Sequence, residues 1–220
     1  MCGRFVRYSA LHDLAREFQT EEPVFDLPPS YNIAPSQTVV IAAGNARTHL
    51  DPCTWGYLPS WAKTPATGYR MINARAESVA DKPSFKQAFS SERILVIANG
   101  FYEWRQEGRI KTPFYIYLTS KKPFGFAGLR SIWTDPGGAK RCTCTIITTR
   151  PNSLLAPIHD RMPAIIAKQD EQAWLNPDNR DRDALLSLLQ PYDSSAMKCH
   201  EVSALVNSPT HDSPECLNPA

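Results

Sequence analysis

The sequence predicts an α+β fold: a single compact domain with a curved, barrel-like, largely antiparallel β-sheet flanked by short helices. Three observations carry this. Runs rich in Val, Ile, Thr and aromatic residues outnumber helical stretches. Successive runs often have no helix between them, which favours antiparallel neighbours over βαβ units. The 19 prolines are spread along the chain, so many short elements are joined by defined turns rather than by one disordered linker.

In chain order, Ser9 is positioned to cap a helix whose apolar residues Leu11, Leu14, Ala15 and Phe18 follow the i, i+3, i+4, i+7 stripe. Strands are expected at 39–43, 94–98, 114–119, 124–129, 142–149, 164–167 and 198–203, each bounded by Pro, Gly or charged residues. Short helices are expected at 85–89, at 170–175 with an acidic first turn, and at 181–189 with Leu185, Leu186, Leu188 and Leu189 on the buried side. Residues 1–206 make the domain. Residues 207–220, with Pro209, Pro214 and Pro219 and little periodicity, read as an irregular tail or surface wrap.

Composition excludes several functions. The net charge of +2 is too small to indicate nucleic-acid binding by itself, so any basic footprint must come from arrangement. No run of about 18 apolar residues is present, so no membrane span is expected. The N-terminus has no apolar signal-peptide core, which points to a cytoplasmic protein. The cysteines Cys2, Cys53, Cys142, Cys144, Cys199 and Cys216 form no C-x-x-C pair. They read as free thiols and small core residues, with no metal and no cofactor expected.

Cys2 directly follows Met1. The small second residue permits removal of Met1, leaving an α-amine and a thiol on one residue. Such a 1,2-aminothiol condenses with an aldehyde to an imine, and the thiol then closes a thiazolidine ring. The amine titrates at about 7.7–8.0 and a free thiol at about 8.5, so both are usable nucleophiles near neutral pH.

Four segments are richer in polar groups than a plain core requires: 55–61, 73–77, 99–104 and 158–163. Taken singly, Asn73 reads as a turn residue and Glu103 as a solvated strand residue. His159 likewise reads as part of a hydrogen-bonding cluster with Asp160 and Arg161. Together with the N-terminus they form an ordered set: Met1-Cys2-Gly3-Arg4-Phe5, Tyr31-Asn32-Ile33-Ala34-Pro35, Trp55-Gly56, Pro59-Ser60-Trp61-Ala62-Lys63 and Asn73-Ala74-Arg75. Lys82-Pro83-Ser84-Phe85, Gly100-Phe101-Tyr102-Glu103-Trp104, Phe126-Ala127-Gly128-Leu129, Thr145-Ile146-Ile147-Thr148-Thr149 and Ile158-His159-Asp160-Arg161-Met162-Pro163 complete it. This set resembles the SOS-response-associated peptidase family of abasic-site processing proteins.

The resemblance implies a compact α+β domain that traps abasic sites of single-stranded DNA covalently through Cys2, during a DNA damage response. It implies autoproteolytic loss of Met1 and a pocket containing Asn73, Glu103 and His159. Glu103 is the expected general acid/base, His159 assists ring opening and reversal, and Asn73 holds the geometry. Arg4, Arg75 and Arg161 are expected to meet phosphates and Trp61 and Trp104 to stack on bases, with Pro35 as a wedge by resemblance alone. The expected partner is single-stranded DNA containing abasic sites, bound by a monomer associated with the nucleoid; weak lyase activity is compatible with the imine. Asn99, Arg130 and Arg150 depart from the family pattern without removing a pocket residue. Two rival readings are an N-terminal-nucleophile amidohydrolase, with Cys2 attacking an amide, and a non-catalytic single-strand-binding module.

Overall fold

The computed structural model describes residues 2–44, 48–62, 71–135 and 137–220. Met1, whose removal the sequence predicts, and Lys63 of the quoted motif lie outside the described residues. The strands are β1 (Phe5–Arg7), β2 (Ser30–Ile33), β3 (Thr38–Ala43), β4 (His49–Trp55), β5 (Asn73–Arg75), β6 (Arg93–Ala98), β7 (Gly100–Glu107), β8 (Ile110–Leu118), β9 (Phe124–Thr134), β10 (Lys140–Thr149), β11 (Met162–Pro163), β12 (Ile165–Ile166) and β13 (Met197–Glu201). The α-helices are α1 (Leu11–Glu17), α2 (Lys86–Ser91), α3 (Glu171–Leu175) and α4 (Arg182–Ser187).

Strands β3, β4, β10, β9 and β6 close on themselves into a five-stranded barrel. Four of its pairings are antiparallel and β4–β10 is parallel. Closure leaves these strands apolar on both faces. Val39, Ile41, Ile94 and Val96 point into the cluster that fills the barrel, while Val40, Ala42, Leu95 and Ile97 point outward beneath the helices. The outer layer includes Leu14 and Phe18 after α1 begins, Phe89 of α2, Trp174 of α3 and Leu185 of α4. A strand buried on both sides reads as an unbroken apolar run, which is why β3 and β6 are visible in the sequence.

A second sheet, entirely antiparallel, runs β13-β8-β7-β1-β2. Its Phe101 and Ile116 pack toward the barrel. Its other face, with Val6, Tyr102 and Tyr115, is covered by Val202, Val206 and Cys216 of the C-terminal segment. That segment contains short 3-10 turns at Ala204–Asn207 and Pro214–Leu217, and a bridge from Val202 to Pro219. Gly100 opens β7 because a Cβ there would stand 2.4 Å from the Tyr115 ring.

Two local expectations are corrected. Ser9 does not cap α1; the N-cap is Ala10, with no side-chain cap. Ser9 is drawn instead to the buried Asn99, whose Nδ2 donates to Ser9 Oγ at 2.8 Å and whose Oδ1 accepts the backbone N–H groups of Tyr8 and Ser9. A tertiary partner outcompetes the local cap. The cysteines are not all free: Cys53 and Cys142 form a disulfide. Parallel pairing of Thr54 with Thr143 brings the two Cα atoms to 4.9 Å, within bridging range. Cys2, Cys144, Cys199 and Cys216 are free thiols. Among the described residues no helix is long and apolar enough to cross a membrane, and no cluster of metal-ligating side chains is formed.

Candidate functional site

Antiparallel pairing of β1 with β7 matches Phe5 to Phe101 and Val6 to Gly100. The Tyr102 N–H donates to the Arg4 carbonyl at 3.0 Å and carries this ladder toward the N-terminus. Cys2 is thereby drawn alongside Glu103. It is fully buried, in the cluster that holds Phe5, Trp55, Ile146 and Met162. Burial, and then the Glu103 carboxylate, push the Cys2 thiol well above its ordinary range, so it is neutral at physiological pH.

Glu103 is 2% exposed. Burial pushes its carboxyl up to about 7, with a smaller push from Asp160 and a backbone hydrogen bond from Trp104 acting the other way. A carboxyl at that value exchanges protons readily near neutral pH. Facing it across an open cleft of about 540 Å³ is His159, beside Ile158. Burial lowers the His159 imidazole, against the opposing pull of Asp160. The Arg161 N–H donates to His159 Nδ1 at 3.0 Å, which leaves the neutral ring's proton on Nε2. Asp160 Oδ1 lies 2.8 Å from the same Nδ1 and accepts its N–H when the ring is charged.

The cleft brings together Glu103, His159, Arg4 and Trp104 of the expected residues. Asn73 is not among the residues that line the cleft; it stands on β5, beside Ile72 and Ile146, which pack in or against the cluster burying Cys2. Its Nδ2 donates to the Ile72 carbonyl at 3.0 Å, and its buried Oδ1 has no hydrogen-bond partner among the described residues. An amide acceptor left open at this point suits an ammonium or hydroxyl brought by the reacting groups.

The expected DNA contacts fall into different places. Arg75 is exposed, and its charge, after that of Arg161, helps to lower the Glu77 carboxyl. Arg161 is occupied: its guanidinium donates to both oxygens of Glu77, at 2.6 and 3.0 Å, and to the Thr148 carbonyl at 2.6 Å. Arg4 is occupied as well, donating to Asn32 Oδ1 at 2.8 Å and to the Val206 carbonyl at 2.6 Å. Trp61 is 65% exposed and lines a separate groove with Pro83, Gln87 and Arg130. Pro35 is half-buried in the turn after β2, where the next residue, Ser36, has φ 73° and donates to the Trp55 carbonyl.

Sequence reasoning missed Gln106, Lys111 and Asn207, which also line the cleft. Gln106 and Lys111 face each other across the β7–β8 hairpin; the alternation past Trp104, which puts Gln106 on the same face of β7, was the available signal. Asn207 had none.

Comparison with known proteins matches residues 1–209 to the family described as SOS response associated peptidase. Abasic site processing protein YoqW of Bacillus subtilis (strain 168) is 46% identical over 221 residues, covering 99% of each chain. Abasic site processing protein YedK of Escherichia coli (strain K12) is 29% identical over 227 residues, covering 100% of each. The crystal structure of a Bacteroides thetaiotaomicron protein has a TM-score of 0.89 at 28% identity, over 100% of both chains.

Proposed function

The chain belongs to the SOS response associated peptidase family, and on that footing we propose that it processes abasic sites by capturing them on the aminothiol of Cys2. The observation that carries this reading is the juxtaposition of buried Cys2, directly behind Met1, with the Glu103 carboxyl, poised at about 7 and lining an open cleft. Loss of Met1 exposes the Cys2 amine. An abasic deoxyribose is mostly a closed hemiacetal; it opens to the aldehyde as the ring oxygen takes a proton from His159 Nε2–H and the C1′ hydroxyl gives one up, through solvent, to restore His159. The Glu103 carboxylate takes a proton from the Cys2 ammonium, and the free amine adds to C1′. The resulting carbinolamine loses water, its hydroxyl protonated by Glu103, to give an iminium. Sγ then adds to C1′ and its proton returns to Glu103. Aldehyde and aminothiol become thiazolidine and one water.

A neutral thiol suits this order, because the amine reacts first and sulfur closes an already activated carbon. The Asn73 Oδ1 accepts from the amine and holds it in line. The iminium also acidifies C2′–H, so slow β-elimination of the 3′ phosphate accompanies capture.

The test is incubation with a single strand carrying one abasic site, followed by denaturing electrophoresis and intact-mass measurement. The expected species is a DNA–protein adduct lacking Met1, formed faster on the single strand than on duplex, which hides the sugar. An amidohydrolase or a passive binding module gives no adduct, and that result would refute the proposal.

Of the three arginines expected on phosphate, Arg75 is the exposed one. Arg75→Ala should reduce the slope of log K against log salt by about 1, as for loss of one phosphate contact. Arg161→Ala should leave that slope nearly unchanged and instead lower stability by about 1–3 kcal/mol, because charged hydrogen bonds to Glu77 and Thr148 are lost. Salt titrations paired with urea melts separate the two effects.

A further inference from the structure

Trp104 stands at the cleft on β7, and two contacts from outside that strand fix its indole. Its Nε1–H donates to Asn207 Oδ1 at 2.7 Å. The Arg4 guanidinium lies over the ring, 6.0 Å from its centroid. Asn207 comes from the C-terminal segment, more than a hundred residues along the chain, and lines the same cleft.

Position 207 is itself held. It ends the 3-10 turn Ala204–Asn207, in which Val206 is fully buried. On one side Arg4 Nη1 grips the Val206 carbonyl at 2.6 Å. On the other, Asn32 Nδ2 donates to the carbonyls of Ser208 at 3.0 Å and His211 at 2.7 Å. The same Asn32 accepts from Arg4 at 2.8 Å. Arg4 and Asn32 thus tie the first strand pair to the strap that carries Asn207, and Asn207 ties that strap to the indole.

We propose that Asn207 is a positioning residue of the DNA cleft, holding the Trp104 indole in the plane on which a nucleobase beside the lesion stacks. This rests on the reading of the cleft as a single-strand site. A half-buried tryptophan pinned at its N–H and backed by a guanidinium has already lost its rotamer freedom, so stacking a base costs less ordering entropy. Arg4 contributes to the same device: it supports the ring and the strap.

The experiment measures binding of the full-length protein to a fluorescein-labelled intact single strand, by polarisation, alongside the adduct rate as the concentration of abasic strand is raised to saturation. Trp104→Ala should weaken binding by roughly tenfold or more, as for loss of one stacked base. Asn207→Ala should weaken it by about three- to tenfold and raise by a similar factor the concentration of abasic strand that half-saturates the adduct rate, with the thermal midpoint unchanged. Asn207→Ser, which cannot reach the indole, should reproduce the loss and guards against a folding defect in the alanine variant. In the Trp104→Ala background, Asn207→Ala should change affinity by less than about twofold, since there is no ring left to position. Additive losses in that background, or wild-type affinity in both Asn207 variants, would overturn the inference. Binding to an intact strand needs no Cys2 chemistry. A wild type that binds it yet forms no adduct strikes the proposed function and leaves this inference standing.

Discussion

Cys2→Ala should abolish the adduct altogether. The variant keeps its amine once Met1 is lost, so an iminium can form, but no sulfur is present to close the ring and water returns the aldehyde. Cys2→Ser should yield at most a labile product, because an oxygen ring opens more readily than its sulfur counterpart. The fold should hold in Cys2→Ser, since a small side chain is replaced by one nearly as small, but burying a hydroxyl in an apolar cluster should lower stability by about 1–3 kcal/mol. Electrophoresis after heating, with and without borohydride, reads both outcomes. Borohydride should trap the Cys2→Ala iminium as an amine, while untreated samples show free DNA. A heat-stable adduct from untreated Cys2→Ala would move the nucleophile elsewhere.

Glu103→Gln should slow adduct formation by roughly 10²-fold or more, as expected when a general acid/base is lost. It should also alter the pH dependence. Wild-type rates rise with pH through about 7 as the carboxyl ionises; that inflection should vanish in the variant, leaving only the titration of the amine at about 7.7–8.0. Stability should move the opposite way from activity. The folded protein holds the Glu103 proton up to about 7, where an unfolded chain releases it near 4.5. Folding stability from this group is therefore greatest at low pH, declines as pH rises from about 4.5, and levels off above about 7. The ionised buried carboxylate costs the native state on the order of 3 kcal/mol at pH 8. Glu103→Gln should be more stable than wild type at pH 8, by up to that amount, with the difference shrinking toward zero near pH 5. Denaturant melts at the two pH values check the sign. Unchanged rates in the variant would return Glu103 to a purely structural role.

The barrel strands and the reactive residues were legible for different reasons. β3 and β6 are buried on both faces and so announce themselves as apolar runs. β1, β2 and β5 are three or four residues long, too short for any alternation to register. β4 carries Asp51 and Pro52, which break the apolar signal although Pro52 sits in register with Val40. Cys2 stood out by its place behind Met1, whereas Glu103 and His159, which taken singly read as structural, were singled out by the family resemblance; the structure brings Glu103 and His159 to one cleft, with Cys2 buried beside Glu103.

The arginines show the limit of adjacency as an argument. Arg4, Arg75 and Arg161 each stand beside a pocket residue in sequence, yet two of them are bound to partners 28 and 84 positions away, Asn32 and Glu77. Sequence alone offered the candidate nucleophile, a cysteine behind the initiator methionine, and determined the alternation of strands and turns that makes an α+β domain, because those depend on residue chemistry and local periodicity. Tertiary structure alone decided the burial of Glu103, the disulfide between Cys53 and Cys142, and the pairing of Arg161 with Glu77. It also brought Asn207 to Trp104. Each of these follows from burial or from contacts between segments far apart in the chain, and neither quantity is written in the neighbourhood of the residue it governs.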